Sequence, residues 1–398
     1  MSLISQQIKS YMDNSSWIRK MFENGIELKE KYGAENVFDF SLGNPDIPPP
    51  AKVGQTLKKI ADELDKPFAL GYMPNAGYPD TRKALATYLC REHGVDITPK
   101  DVLATCGAAG AINAFFRAVL ETDDEVICPA PYFVEYGFYA GNYGGKLCPV
   151  KSKPLTFELD LVALEAAFTE RTRVVLINSP NNPTGKIYSR EELEALAALV
   201  KKYSEHYGKP IFLVSDEPYC FLNYDNVELP SVFSLYEYSV VVGSFSKSLG
   251  LAGARIGYFA VNPAMTDGSE LMNAVIMTNR ILGFVNAPAL AQRILSETIN
   301  ESVDLEIYRS RRQAMAEVLD AAGIEYSMPR GAFYFFPKSP VEDEMKFIDL
   351  LMKENILVVP GRGFGYPGYF RLAFCVDEAT IRRSKPGFIN AMKMLNTQ

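Results

Sequence analysis

The sequence predicts an α/β protein, with a mostly parallel sheet in a large domain and a smaller α+β unit beside it. Two observations carry this. From about residue 100 to 262, short apolar runs rich in β-branched residues alternate with polar or Gly/Pro turns and helix-length stretches, the grammar of βαβ units. Towards the C-terminus, helices alternate instead with brief strands, as in a compact α+β unit.

Each element follows in order. Trp17, Ile18, Met21, Phe22 and Ile26 fall at helical spacing after cap candidates at 13–15, so a short amphipathic helix is expected there. Pro48, Pro49 and Pro50 forbid regular helix and mark a crossing between elements. The strand "DVLA" leads into the small-residue turn "TCGAAGA" at 105–111, which opens the helix "AINAFFRAVL". Further strands are expected at 126–128, 174–177, 211–214, 240–242 and 256–261; they are apolar on both faces, as strands covered by helices on each side must be. Ser189 and Glu192 fit a capping box opening "EELEALAALVKKYSEHY". Leu305, Tyr308, Met315, Val318 and Leu319 mark a long helix, and "AFYFF", "ILVVP" and "FRLAF" are the strands of the smaller unit. The N-terminal segment is expected to join that unit, giving 1–49 plus 298–398 as the small domain and 50–297 as the large one.

Composition then narrows the chemistry. The chain has 398 residues, 47% hydrophobic and 22% charged, which is ordinary for a globular protein. Its 41 basic and 48 acidic residues leave a net charge of -7 spread along the chain, which favours neither nucleic acid nor an anionic membrane as partner. Only two histidines occur, His93 in "REHGV" and His206 in "SEHYG", both read as solvated helix-end residues. A His-rich metal site and His-based hydrolysis are thereby excluded, and acid/base work falls to Lys, Asp, Glu, Tyr or Cys. Cys90, Cys106, Cys128, Cys148, Cys220 and Cys375 lack CxxC spacing and read as buried free thiols of a reducing compartment. With no signal-peptide core and no membrane-length apolar window, the expected location is the cytoplasm.

Three of the expected strands end in unusual polar groups: "NSPNNPTG" after Ile177, "SDEPY" after Val214 and "GSFSK" after Val242. Ligands of a mostly parallel sheet bind beyond the carboxyl ends of its strands, so Asn182, Asp216, Tyr219 and Lys247 should converge there. Asp216 follows four apolar residues and should be nearly buried, where a carboxylate needs a cation or a donor, unless it merely caps the next turn. Lys247 sits among small residues; desolvated there, it would lose proton affinity and become a nucleophile towards carbonyls. The free amides of Gly107, Ala108 and Ala109 at a helix start, with Arg255 in "GARIGY", make an anion site, most simply for a phosphate. A lysine for an imine, a carboxylate for a ring nitrogen, donors for a phenolic oxygen and a phosphate cradle together describe the needs of pyridoxal 5'-phosphate.

These residues resemble the class I/II aminotransferases of the fold-type I pyridoxal-phosphate superfamily, aspartate aminotransferases among them. The matching motifs are "SLGNPDIP", "YMPNAGYPDTRKALA", "APYFVEY", "NSPNNPTG", "SDEPY", "SFSKSLGLAGARIGY" and "FRLAF", in order over nearly the whole chain. The resemblance implies a seven-stranded sheet in the large domain. It implies Lys247 as the imine-forming lysine that also moves the substrate α-proton, and Asp216 as partner of the pyridinium nitrogen. Asn182 and Tyr219 match the donors to the ring hydroxyl; Ser244, Arg255 and the amides of Ala108 and Ala109 match phosphate ligands. Phe133 takes the place of the aromatic stacked on the ring, and Arg371, with the Gly43 backbone nearby, that of the arginine holding the substrate α-carboxylate. A planar guanidinium pairs bidentately with a carboxylate, which agrees. Tyr72 and Asn286 resemble residues given to the partner's site, implying a homodimer with shared active sites. Tyr72 also fits a packed interior tyrosine.

The implied reaction moves the amino group of an L-amino acid (aspartate-, alanine- or aromatic-type) to a 2-oxo acid such as 2-oxoglutarate, in ping-pong order. A carbon–sulfur β-lyase on the same scaffold is the alternative. A non-enzymatic cofactor-binding regulator is disfavoured, because only about 40 residues, not basic, precede "SLGNP". Two departures bear on specificity. Many relatives carry Ser, Thr or Lys where this chain has Gly107, Ala108 and Ala109, including a lysine that recognises a side-chain carboxylate in some aspartate-using relatives. The stacking position holds Phe rather than Trp.

Overall fold

The computed structural model describes residues 3–13 and 17–397. Its strands are β1 Phe38–Asp39, β2 Val102–Thr105, β3 Glu125–Ala130, β4 Lys146–Lys151, β5 Thr172–Asn178 and β6 Phe212–Asp216. There follow β7 Ser239–Ser244, β8 Gly257–Val261, β9 Tyr334–Phe335, β10 Ile356–Leu357, β11 Val359–Pro360 and β12 Phe370–Ala373. Seven of these form one sheet in the order β2-β8-β7-β6-β5-β3-β4. Only β8 runs against its neighbours, β2 and β7; every other pair is parallel.

Side-chain alternation along the central strands explains why this sheet lies between two layers. Val175, Ile177, Leu213 and Val241 pack into one core with Leu193, Leu196 and Val200 of the helix Arg190–Tyr207. Val174, Leu176, Val214, Val240 and Val242 face the opposite core, with Phe115 and Phe116 of the helix Gly107–Val119 and Val275 of the helix Gly268–Ile281. Each of these fully buried aliphatic side chains stabilises the fold by roughly 2 kcal/mol. The helix Arg190–Tyr207 begins with the expected box: Ser189 Oγ accepts from the Glu192 amide at 3.2 Å, and Glu192 Oε2 accepts from the Ser189 amide at 2.9 Å. It stops at Gly208, whose φ of 63° is left-handed backbone that glycine adopts without penalty.

The C-terminal elements enclose a third core, with Met315 and Leu319 of the helix Leu305–Ala322, Phe333, Phe335, Phe370, Leu372 and Phe388. Phe40 is buried in it, and β1 pairs in parallel with β10, so the N-terminal segment packs with the C-terminal elements. β11, β12 and β9 make a separate antiparallel ladder. The expected N-terminal helix is present as Trp17–Tyr32; its cap candidates at 14–15 lie outside the described residues.

Three differences from the sequence reading have physical reasons. β4 escaped notice because Lys146, Pro149 and Lys151 interrupt its apolar run; it is an edge strand, where such residues are tolerated. His206 is exposed as expected, but His93 is 8% exposed. Its Nδ1 lies 2.9 Å from Ser231 Oγ and its Nε2 3.6 Å from Glu217, and burial pushes its pKa down to about 4. All six cysteines are free, but only Cys128 and Cys375 are fully buried. Among the described residues no helix is long and apolar enough to cross a membrane, and no His, Cys, Asp or Glu cluster is arranged to hold a metal ion.

Candidate active site

β5, β6 and β7 are parallel neighbours, so their carboxyl ends open on one edge of the sheet, the usual ligand position. There Asp216, Asn182, Tyr219, Lys247, Ser244, Arg255, Phe133, Ala108 and Ala109 line one cavity. The four residues read from the strand ends are thus brought together, and the anion site joins them.

Asp216 closes β6 and is only 5% exposed. Its Oδ2 accepts a 2.5 Å bond from the Tyr136 hydroxyl, while its buried Oδ1 has no partner. Burial raises the carboxyl to about 7, against the opposing effect of the Tyr136 bond. Asn178 braces two strand ends here: its Nδ2 donates to the Asp216 carbonyl at 2.8 Å and its Oδ1 accepts from the Asn182 amide at 2.7 Å. A buried acceptor without a donor is costly, so a protonated ring nitrogen offered from the cavity answers a deficit already present.

Lys247 lies just past β7, and burial lowers its proton affinity; Arg371 and Arg255 push the same way while Cys375 opposes. Its Nζ donates to the Gly43 carbonyl at 2.5 Å and stands 5.5 Å from the Phe333 ring centroid. A less basic amine is a better nucleophile at neutral pH.

The anion end is made of backbone. The helix Gly107–Val119 starts at the cavity, where its first amides have no intrahelical partner and its dipole favours negative charge. Gly107 has φ 73°, and a Cβ on it would lie 3.0 Å from Arg255 Nη2. A Cβ on Gly257 would run into the Gly243 carbonyl and come within 2.7 Å of the Gly107 backbone, so β8 lies this close to the helix start only because residue 257 is glycine. Arg255 is held by its Nη1 bond to the Ala252 carbonyl at 3.1 Å, which leaves donors for an anion.

At the other end Arg371, on β12, is 2% exposed. Its Nη1 donates to Asn182 Oδ1 at 3.1 Å and its Nη2 to the Ser41 carbonyl at 2.5 Å. The guanidinium carbon lies 4.8 Å from the Tyr334 ring centroid and 4.9 Å from that of Phe364. Its buried Nε has no partner. A buried, sandwiched cation with free N–H groups is poised for a carboxylate. Tyr219 and Tyr334 share a 2.9 Å hydroxyl–hydroxyl bond, and burial pushes Tyr334 up to about 12 and Tyr219 up as well. Any Cβ on Gly43 would collide with the Tyr334 hydroxyl, so Gly43 lets that segment close down beside Lys247.

Tyr72 and Asn286 are not part of this cavity. They share a surface depression with Met73 and Phe284, and Tyr72 is 92% exposed, which overturns the packed-tyrosine reading. Asn286 Nδ2 donates to the Pro74 carbonyl at 3.0 Å. Sequence reasoning assigned no role to Tyr136, Tyr334 or Asn178. Tyr136 and Asn178 stand in motifs already singled out, whereas Tyr334 in "AFYFF" reads as ordinary core.

The comparisons with known proteins agree with this geometry. The family model "Aminotransferase class I and II" matches residues 35–384. The chain is 32% identical over 377 residues to the aspartate/prephenate aminotransferase of Thermus thermophilus, covering 93% of this chain and 94% of that one. Its fold superposes on the crystal structure of an amino transferase from Eubacterium rectale with TM-score 0.95 and 37% identity, covering 100% of both chains. The Thermus thermophilus aspartate aminotransferase with maleate gives TM-score 0.87 at 28% identity, covering 98% of this chain and 100% of that one. The mostly parallel seven-stranded sheet is that of fold-type I aminotransferases. The chain belongs to the class I and II aminotransferases.

Proposed function

We propose that this aminotransferase uses pyridoxal 5'-phosphate to move the amino group of an L-amino acid to a 2-oxo acid in ping-pong order. Aspartate-, alanine- and aromatic-type donors are the candidates, with 2-oxoglutarate the first acceptor to try. One observation carries the reading: the partnerless Asp216 Oδ1 and the desolvated Lys247 share a cavity that has a backbone anion cradle at one end. When bound, the cofactor supplies an electron sink for the substrate α-carbon.

The chain's own residues supply the rest. Asp216 would keep the ring nitrogen protonated, and Tyr136 would keep Asp216 ionised and oriented. The amides of Ala108 and Ala109, with Ser244 and Arg255, would take the phosphate; Asn182 and Tyr219 the ring hydroxyl; Phe133 one ring face. Arg371 would fix the substrate α-carboxylate beside Gly43, and Lys247 would move the proton at the α-carbon. Tyr72 would complete the partner's phosphate site in a cytoplasmic homodimer, its exposure in one chain supporting that role. The pairing of β1 with β10 supports a small domain of 1–49 plus 298–398 set against 50–297.

Lys247→Ala is the direct test. It should abolish both transamination and the visible absorbance gained when the cofactor joins a lysine; retained turnover would refute the assignment. Release of pyruvate from cystathionine without an added oxo acid would favour the β-lyase alternative instead.

A further inference from the structure

Residues 41–50 run beside Lys247 and Arg371 as irregular backbone, and Pro45, Pro48, Pro49 and Pro50 have no N–H with which to fix it. Yet successive carbonyls at its start each meet a donor. The Phe40 carbonyl accepts from the Ala373 amide at 2.8 Å, that of Ser41 from Arg371 Nη2 at 2.5 Å, that of Leu42 from Cys375 Sγ at 3.5 Å and that of Gly43 from Lys247 Nζ at 2.5 Å. Further along, the segment lies against the turn after Lys247: a Cβ on Gly250 would be 3.2 Å from the Pro49 nitrogen and 3.3 Å from the Ile47 carbonyl oxygen. Asp46 stands between these two stretches. Arg311, on the helix Leu305–Ala322, takes it with both ends of its fork, Nη1 to Oδ1 at 2.6 Å and Nη2 to Oδ2 at 3.0 Å. The Arg311 side chain is nearly buried and Asp46 half exposed, so the pair is shielded on one side, and the planar fork fixes the carboxylate in direction as well as distance. Behind it, the guanidinium carbon lies 5.9 Å from the Tyr308 ring centroid, and Tyr308 stacks on Phe333, whose ring centroid is 5.5 Å from Lys247 Nζ. Neither Asp46 nor Arg311 lines the cavity or has a task in the chemistry above.

We propose that Asp46 and Arg311 are a positioning pair: by clamping this segment they hold the Ser41 carbonyl against Arg371 and the Gly43 carbonyl against Lys247, and so set how both groups face the substrate. This rests on Arg371 as the α-carboxylate anchor and on Lys247 as the amine that serves the α-carbon. A guanidinium that gives one N–H to a fixed carbonyl keeps its plane, and with it the direction of its remaining N–H groups. An amine with one N–H on a fixed carbonyl is likewise restricted in where its lone pair points. If the segment drifts, both orientations drift together, and small misplacements of such groups are costly in binding and rate. Cutting the pair at one partner also leaves the other charge alone, so the test must separate positioning from stability.

Asp46→Asn, Arg311→Met and the double variant are compared with the wild type as holoenzymes. Hydrogen exchange of the peptide covering 38–46 reads the clamp itself, and each single variant should exchange there about tenfold faster. Calorimetric titration with 3-phenylpropionate, a non-reacting acid with one carboxylate, reads Arg371; each single variant should bind it about tenfold more weakly, with kcat/KM for amino donors falling in parallel. Because the two side chains act as one unit, the double variant should be no worse than the worse single one. Unchanged exchange in both single variants overturns the clamp, and additive losses in the double variant overturn the pair. Faster exchange with acid affinity within about twofold of wild type also overturns the proposal, since it marks a structural brace only. Should a single variant fail to fold, Arg311→Lys, which keeps the charge and loses the fork, decides by the same readings. Arg371→Leu separates the two layers: if it binds 3-phenylpropionate as wild type does, the anchor is wrong and the positioning role falls with it, whereas the exchange rates report on the clamp alone.

Discussion

Asp216→Asn in the cofactor-free protein tests the electrostatic logic of the site without any turnover. Burial lifts the Asp216 carboxyl from an ordinary 3.8 to about 7, so the folded protein holds a proton that the unfolded chain has released. Below about pH 4 both states are protonated and nothing is lost. As pH rises from about 4 to about 7 the unfolded state alone ionises, so stability falls across that window. About three units at 1.36 kcal/mol each give a loss of roughly 4 kcal/mol at neutral pH. The variant has no such group, and its stability should be flatter with pH by about that amount. Glu217, which burial lifts to about 8, declines alongside in both proteins. Comparing the two proteins therefore isolates Asp216, and removing the Asp216 charge relieves Glu217 in the same direction. Urea unfolding at pH 4.5, 6 and 8 measures this. Adding pyridoxal 5'-phosphate to the wild type should cancel the decline, because a protonated ring nitrogen favours the ionised carboxylate. Parallel pH profiles for the cofactor-free wild type and variant would refute the reasoning.

Three further outcomes are expected. Tyr334→Phe removes the hydroxyl shared with Tyr219 and seated against Gly43, and should lower kcat/KM by roughly fivefold, the worth of about one hydrogen bond, in steady-state assays. Gly107→Ala puts a methyl group on left-handed backbone 3.0 Å from Arg255 Nη2; urea unfolding should show a loss of about 1 kcal/mol, and cofactor titration a weaker affinity. Tyr72→Phe should leave stability within about 0.5 kcal/mol, since the side chain is 92% exposed, yet weaken cofactor binding about tenfold if the hydroxyl serves a partner's site. Unchanged affinity would remove Tyr72 from that site.

Much of this was legible because strands buried on both faces have little freedom to be anything else. The runs ending at Ile177, Val214 and Val242 carry no polar side chain, so the polar group that follows each stands out and its position at the sheet edge follows. The edge strand β4 lacks that constraint and did not show. His93 was misread for a related reason: its neighbours along the chain are polar, and only the approach of Ser231 and Glu217 from distant segments buries it. The Tyr219–Tyr334 bond likewise joins residues from β9 and from the loop after β6, and no local pattern encodes a pairing of that kind.

On the proposed reading, two partnerless atoms, Asp216 Oδ1 and Arg371 Nε, would mark the cofactor end and the substrate end of the site. Burying an acid or a base without its partner opposes folding. Their signs are opposite and their environments separate: Asp216 is held by Tyr136, Arg371 by Asn182 and the Ser41 carbonyl. They form no ion pair with each other, so on the proposed reading each deficit would be left to a different part of the ligand, a cationic ring nitrogen at one end and a carboxylate at the other. Asn182 connects the ends, its backbone tied to Asn178 beside Asp216 and its side chain to Arg371. Asn182→Ala should therefore loosen the cofactor and substrate sites together, whereas a change at Tyr136 should be felt first at the cofactor.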